Sequence, residues 1–119
     1  MAQHKVTLEK GLTVGDKNHN IATLRELSAG DVIAAMEESE RVIMVPNGSG
    51  SVEPSLLLSN SLMGVNTLRR QIASIGDIQG PIEREQLDLL SDTDLMLLQQ
   101  GVQEMDEAAA QAINKRGRA

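Results

Sequence analysis

Near the start of the chain Val6, Leu8, Lys10, Leu12 and Val14 fall on alternate positions, with polar or small residues between them. This is the period of a half-buried strand. Gly11 interrupts the run and predicts a bend or bulge. Gly15-Asp16-Lys17-Asn18 carries turn chemistry, so a second strand over about residues 20–26 is predicted to return antiparallel and close a hairpin. A hairpin alone is marginal in water, and this one needs a helix laid across it.

The period then changes. Ser28 and Asp31 have the spacing of a helix-capping pair, in which the serine oxygen takes an early helical N–H and the carboxylate favours the positive end of the helix dipole. The predicted helix runs over about residues 29–40. Val32, Ile33 and Met36, with Ala35 beside them, form its apolar face, and Glu37, Glu38 and Glu40 lie on the wet side. Glu26, Ser28 and Asp31 have no His or nucleophile next to them, so they read as a strand-to-helix joint rather than an acid–base site. Arg41 to Val45 is an apolar run too short to assign by length: a strand, or the tail of the preceding helix. Residues 46–53 read as a flexible Gly-rich loop. A phosphate cradle has the same layout, but the Walker spacing with its Lys and the three spaced glycines of a dinucleotide site are missing.

Pro54 suits the first turn of a second helix, predicted to run to residue 75 and to stop at Gly76. Leu58, Leu62, Val65, Leu68, Ile72 and Ile75 recur at steps of three or four, and Gly64 marks either close packing or a weak spot. After Gly80-Pro81, residues 82–90 form a short helix or turn. Ser91 and Asp94 repeat the capping spacing. Leu95, Leu98, Val102, Met105, Ala109 and Ala112 then trace a heptad-like seam, which packing within the chain and packing against another chain would both produce. The predicted fold class is α+β: an N-terminal β-hairpin followed by a mainly α-helical region of three main helices and a short one. It is organised as one domain, with the hairpin at 1–27, two helices at 28–76, the short and C-terminal helices at 77–114 and a basic tail at 115–119. Leu56, Leu57, Leu90, Met96 and Leu97 lie off the seams, and this excess predicts a surface that another chain covers.

Composition narrows the function classes. The 119 residues include no Cys, so neither a disulfide frame nor a thiolate metal cage is available. There is no Phe, Tyr or Trp, and hence no ring on which a nucleic-acid base can stack. Formal charge is −6, and from Asp77 to Glu107 nine acidic residues face one basic residue, Arg84, so a phosphate backbone is repelled and no nucleic-acid partner is expected. Lys115, Arg116 and Arg118 read as a solvated end. No stretch approaches the ~20 apolar residues of a membrane span, and no signal-like run follows Met1, so a soluble, unprocessed protein is expected. His19 sits near Asp16, but His4 belongs at the hairpin's far end, and two ligands are too few for a metal. No serine sits in a nucleophile elbow. The expectation is a protein without metal, cofactor or catalytic residues. The six methionines serve equally as core filler or as an adaptable contact surface.

The stretch "VTLEKGLTVGDKNHNIATLRELSAGDVIAAMEE" resembles the tail assembly chaperones of contractile-tailed phages, the Mu-like and P2-like group. The match is carried by Val6-Thr7-Leu8, by Thr23-Leu24-Arg25-Glu26, and by Ala29-Gly30-Asp31 running into Ala34-Ala35. "DLLSDTDLMLLQQGV", residues 88–102, is similar to the approach to the family's final helix. About half the chain is covered; the "NGSGSVEPS" loop and the lack of aromatics have no counterpart. The resemblance implies a non-enzymatic protein of the host bacterial cytoplasm, absent from the mature virion. Such a protein binds the long helical tape measure protein and keeps it soluble until tail tube protein subunits replace it. Relatives often add a longer form by ribosomal frameshifting. For this chain the expected contact residues are Leu62, Val65 and Leu68 on one groove and Leu95, Leu98, Val102 and Met105 on the other. Charge at Leu68 or Leu98 is expected to abolish client binding and spare the fold, and self-association through a helical face is expected. The alternatives are a structural tail or baseplate subunit retained in the virion and a dimeric DNA-binding regulator, the latter disfavoured by the acidic balance.

Overall fold

The computed structural model describes residues 3–117, and the fold is α+β. It gathers into two compact units: the residues through Glu26 with those from Leu68 on, and Leu27–Thr67.

The first unit is built on an antiparallel sheet. Strand β1 (Gln3–Val14) and strand β2 (Lys17–Arg25) form the predicted hairpin, joined by a tight turn in which Gly15 takes a positive φ. Pairing runs from Gln3↔Arg25 to Thr7↔Ile21, shifts, and resumes at Leu12↔His19. The expected bulge is therefore present, with Gly11 at φ +72° inside it. Leu8 and Leu12 are both buried, while Val14 is exposed. Strand β5 (Ile72–Ile75) pairs with β2, and the two-residue β6 (Ile78–Gln79) closes the order β1-β2-β5-β6. The short helix α3 (Arg84–Asp88) buries Leu87, and the long helix α4 (Asp92–Gly117) lies against β1 and β2. Leu24, Ile72, Ile75, Ile82 and Leu98 are fully buried in this unit.

The second unit opens with helix α1 (Ala29–Glu38), and here the reading of Ser28 and Asp31 as a joint is supported: Ser28 Oγ accepts from Asp31 N at 3.1 Å and Ser28 N donates to Asp31 Oδ2 at 2.8 Å. Ser39 ends the helix. Strand β3 (Glu40–Pro46) and strand β4 (Val52–Leu58) then form a separate two-stranded ribbon. Buried Ser39 ties the unit together: its Oγ donates to Ala35 O (2.6 Å) and accepts from Asn66 Nδ2 (3.0 Å), while its carbonyl accepts from Ser59 N (3.0 Å).

The expectation for the second helix changes. The predicted helix over 54–75 is a strand, a shorter helix and another strand: β4, α2 (Asn60–Gln71) and β5. Pro54, which fits a first helical turn, also fits a ribbon edge where its missing N–H leaves no ladder bond unmade. The helix starts instead at Ser59, whose Oγ accepts from Leu62 N at 3.3 Å. Ile72 and Ile75, three apart, look helical but are β-branched and pack as a strand against β2. The open assignment of Arg41 to Val45 resolves as strand, and the loop between β3 and β4 is closed by its own bonds, with Asn47 Oδ1 accepting from Ser49 N (3.0 Å) and Ser49 Oγ (2.7 Å).

Gly64 is not a close-packing point. It is exposed within α2, and a Cβ there would meet nothing within 4 Å. Gly64→Ala is therefore expected to raise stability by up to about 1 kcal/mol through helix propensity and a stiffer unfolded chain. The urea midpoint measures this, and an unchanged or lower midpoint contradicts it.

Candidate functional site

The seam on α4 faces inward. Leu98 and Met105 are buried and Leu95 and Val102 half-buried. The glycine that permits this packing is Gly101: a Cβ there would lie 2.5 Å from Val6 Cγ2 and 2.9 Å from Leu24 Cδ1, so α4 and the hairpin meet at a contact only glycine allows. Leu68 is likewise buried, whereas Leu62 and Val65 of α2 are half-exposed. Of the seven expected contact residues, Leu68, Leu98 and Met105 thus belong to the interior of the chain. The expectation that charge at Leu68 or Leu98 spares the fold does not survive their burial.

Asp94 fastens α4 at its start. Ser91 Oγ accepts from Asp94 N at 3.1 Å, as the capping spacing predicts, but the aspartate side chain does not reciprocate. It turns to the bulge in β1 and accepts from Glu9 N (2.6 Å), Lys10 N (3.1 Å) and Gly11 N (2.8 Å), three successive amides that form an anion nest. Full burial of this carboxylate opposes its ionisation and is the largest single influence on it. The backbone donors from Glu9, Gly11 and Lys10, with Ser91, together outweigh that and hold its pKa below the ordinary value.

His19 is buried, not solvated as turn histidines usually are. Its Nδ1 accepts from Asp77 N at 3.3 Å, next to Gly76 with φ +58°. Asp77 in turn meets the Lys17 ammonium, whose hydrogen bond and charge lower its carboxyl pKa. Among the described residues no three His, Asp or Glu side chains gather as metal ligands. No described helix is long and apolar enough to cross a membrane.

The conspicuous surface is apolar and lies on the second unit. Val32, Ile33 and Met36 make the predicted apolar face of α1. All three are exposed, Ile33 at 56%, while Ala35 alone in the helix is buried. Both strands of the β3–β4 ribbon are also exposed over almost their whole length. Leu56 and Leu57 pointed to the surplus, but the faces they occupy required the strand register.

The fold is α+β, with exposed apolar side chains on one face of α1 and on the β3–β4 ribbon, and with buried His19, Ser39, Asn66 and Asp94 engaged in structural hydrogen bonds. This chain belongs to the tail assembly protein gp41 family of Mu-like phages, whose family description, tail assembly protein gp41, matches residues 8–118. It is 40% identical over 114 residues to the Mu-like prophage FluMu protein gp41 of Haemophilus influenzae, a match covering 96% of this chain and 87% of the relative. It is 41% identical over 97 residues to the probable tail assembly protein gp41 of Escherichia phage Mu, covering 81% of this chain and 64% of that protein. Against the same phage's probable tail assembly protein FS-gp41 it is 40% identical over 93 residues, which span 78% of this chain and 47% of the relative. No solved structure matches it.

Proposed function

We propose that this chain acts in phage tail assembly as a non-enzymatic chaperone, holding the tape measure protein soluble in the host cytoplasm until tail tube protein replaces it, and leaving before the virion matures. The observation that carries this reading is the exposed stripe Val32, Ile33 and Met36 on α1. Residues at i, i+1 and i+4 on a helix make a narrow apolar strip onto which an amphipathic client helix can lie. Half-exposed Leu62 and Val65 of α2 add to the apolar surface of the same unit. A strip this short holds its client weakly enough to be displaced, which a transient holder requires. The family's name and the lack of aromatic or basic nucleic-acid contacts support the same reading.

Ile33→Glu and Met36→Glu test it. Both side chains already meet water, so the circular dichroism spectrum is expected to stay as in the wild type, while co-purification with a co-expressed Mu-like tape measure protein falls severalfold or disappears. Undiminished co-purification by folded variants removes α1 as the client surface. Stoichiometric copies in purified virions, measured by mass spectrometry, replace the chaperone by a structural subunit.

A further inference from the structure

The β3–β4 ribbon pairs antiparallel from Glu40↔Leu58 to Pro46↔Val52. Directly paired residues share a face and successive residues alternate. The pairs Val42↔Leu56, Met44↔Pro54 and Pro46↔Val52 therefore place six apolar side chains on one face, with Glu40↔Leu58 at its end, while the other face is mixed: Arg41↔Leu57, Ile43↔Ser55 and Val45↔Glu53. The apolar face is open to water: Leu56 is 69% exposed, Val42 65% and Met44 59%. A two-stranded ribbon is marginal in water, and one with an uncovered apolar face is also an aggregation hazard.

We infer that a second copy of this chain covers that face, ribbon against ribbon. The need for cover begins as soon as the chain folds, before any client is bound, and a second copy is the polypeptide present at that moment. The six side chains carry no charge, and Glu40 stands at the end of the ribbon beyond them, so this stretch of the face complements itself, as a twofold contact between identical surfaces demands. Val42, Met44, Val52 and Leu56 are each more than half exposed, which lets a face-to-face pair bury at most about 1,000 Å², near the floor for a specific and reversible dimer.

The ribbon's edges are less suited to the same task. Asn47 N donates to Ser51 O at 3.1 Å, which sets the alternation of the ladder. Pairs 45↔53, 43↔55 and 41↔57 exchange hydrogen bonds, and residues 42, 44, 46, 52, 54 and 56 turn their backbone outward. Pro46 and Pro54 both fall in the outward set, so each edge lacks a donor where a third strand would need one. Self-association is thereby directed to the face. This inference stands apart from the client reading, because it concerns the chain with no client present.

Sedimentation equilibrium of the full chain alone is expected to show a reversible dimer or a multiple of one. Leu56→Glu is expected to weaken it by about tenfold or more, and Leu57→Glu, on the opposite face, to leave it unchanged. As a second measurement that does not depend on a charge being tolerated, Leu56→Cys in this cysteine-free chain is expected to give a covalent dimer with a short bismaleimide, and Leu57→Cys none. A monomeric wild type at all soluble concentrations overturns the inference, as does unchanged mass for Leu56→Glu or equal crosslinking from both faces. A Leu56→Cys thiol protected only when an amphipathic helical peptide is added also overturns it and assigns the face to a client.

Discussion

Replacing Asp94 with Ala is expected to lower stability by roughly 2–4 kcal/mol. The carboxylate is fully buried and is the shared acceptor for three consecutive amides in the β1 bulge. Removing it strips those amides of a charge-assisted partner and takes a negative charge from the first turn of α4, where the helix dipole favours one. The bulge is shaped around this contact: Gly11 has a positive φ, and a side chain there would strike the His19 carbonyl. Because the native state lowers the carboxyl's pKa from its ordinary value of 3.8, the unfolded chain takes up the proton first as pH falls. The stabilisation is therefore complete above about pH 5 and is lost as pH falls through the lower, folded-state value. Urea unfolding of wild type and Asp94→Ala at a series of pH values measures both effects. The gap between them is expected to be widest near neutrality and to close in acid; a pH-independent gap, or none, contradicts the assigned role.

The N-terminal hairpin was legible because its alternation, its bulge glycine and its turn are all local signals, and the capped start of α1 was legible for the same reason. The second ribbon was not. Leu56-Leu57-Leu58 lacks alternation because both of its faces are apolar and exposed, and Pro54 suits a helix start and a strand edge alike. The β-branched residues Val42, Ile43 and Val45 before Asn47-Gly48-Ser49-Gly50 would have been the better clue. Asp94 shows a different limit. Its spacing from Ser91 disclosed the cap, but its side-chain partner lies 83 to 85 positions away, and no local pattern encodes such a contact. The same holds for exposure. Periodicity found the apolar faces of α1 and α4 equally well, yet only the α4 face is buried, because burial depends on what the remainder of the chain brings to each face.

Leu98→Glu is expected to abolish cooperative folding. Leu98 has no exposed surface and sits on the face of α4 turned to the sheet, three residues before Gly101, where the hairpin leaves no room for a side chain. A carboxylate there must either lose several kcal/mol to desolvation or pull α4 off the sheet. Either loss is comparable to the whole stability of a small domain, about 5–15 kcal/mol. Leu98→Ala is the graded counterpart, expected to remain folded with stability lower by roughly 2–5 kcal/mol and a melting temperature lower by roughly 10–20 °C. Thermal unfolding followed by circular dichroism separates these outcomes, and a Leu98→Glu protein that melts like the wild type would show that the seam is an open contact surface after all. The distinction governs how client experiments are interpreted. Loss of tape measure binding in Leu98→Glu reports lost structure, whereas the same loss in Ile33→Glu, whose side chain starts in water, reports a lost contact.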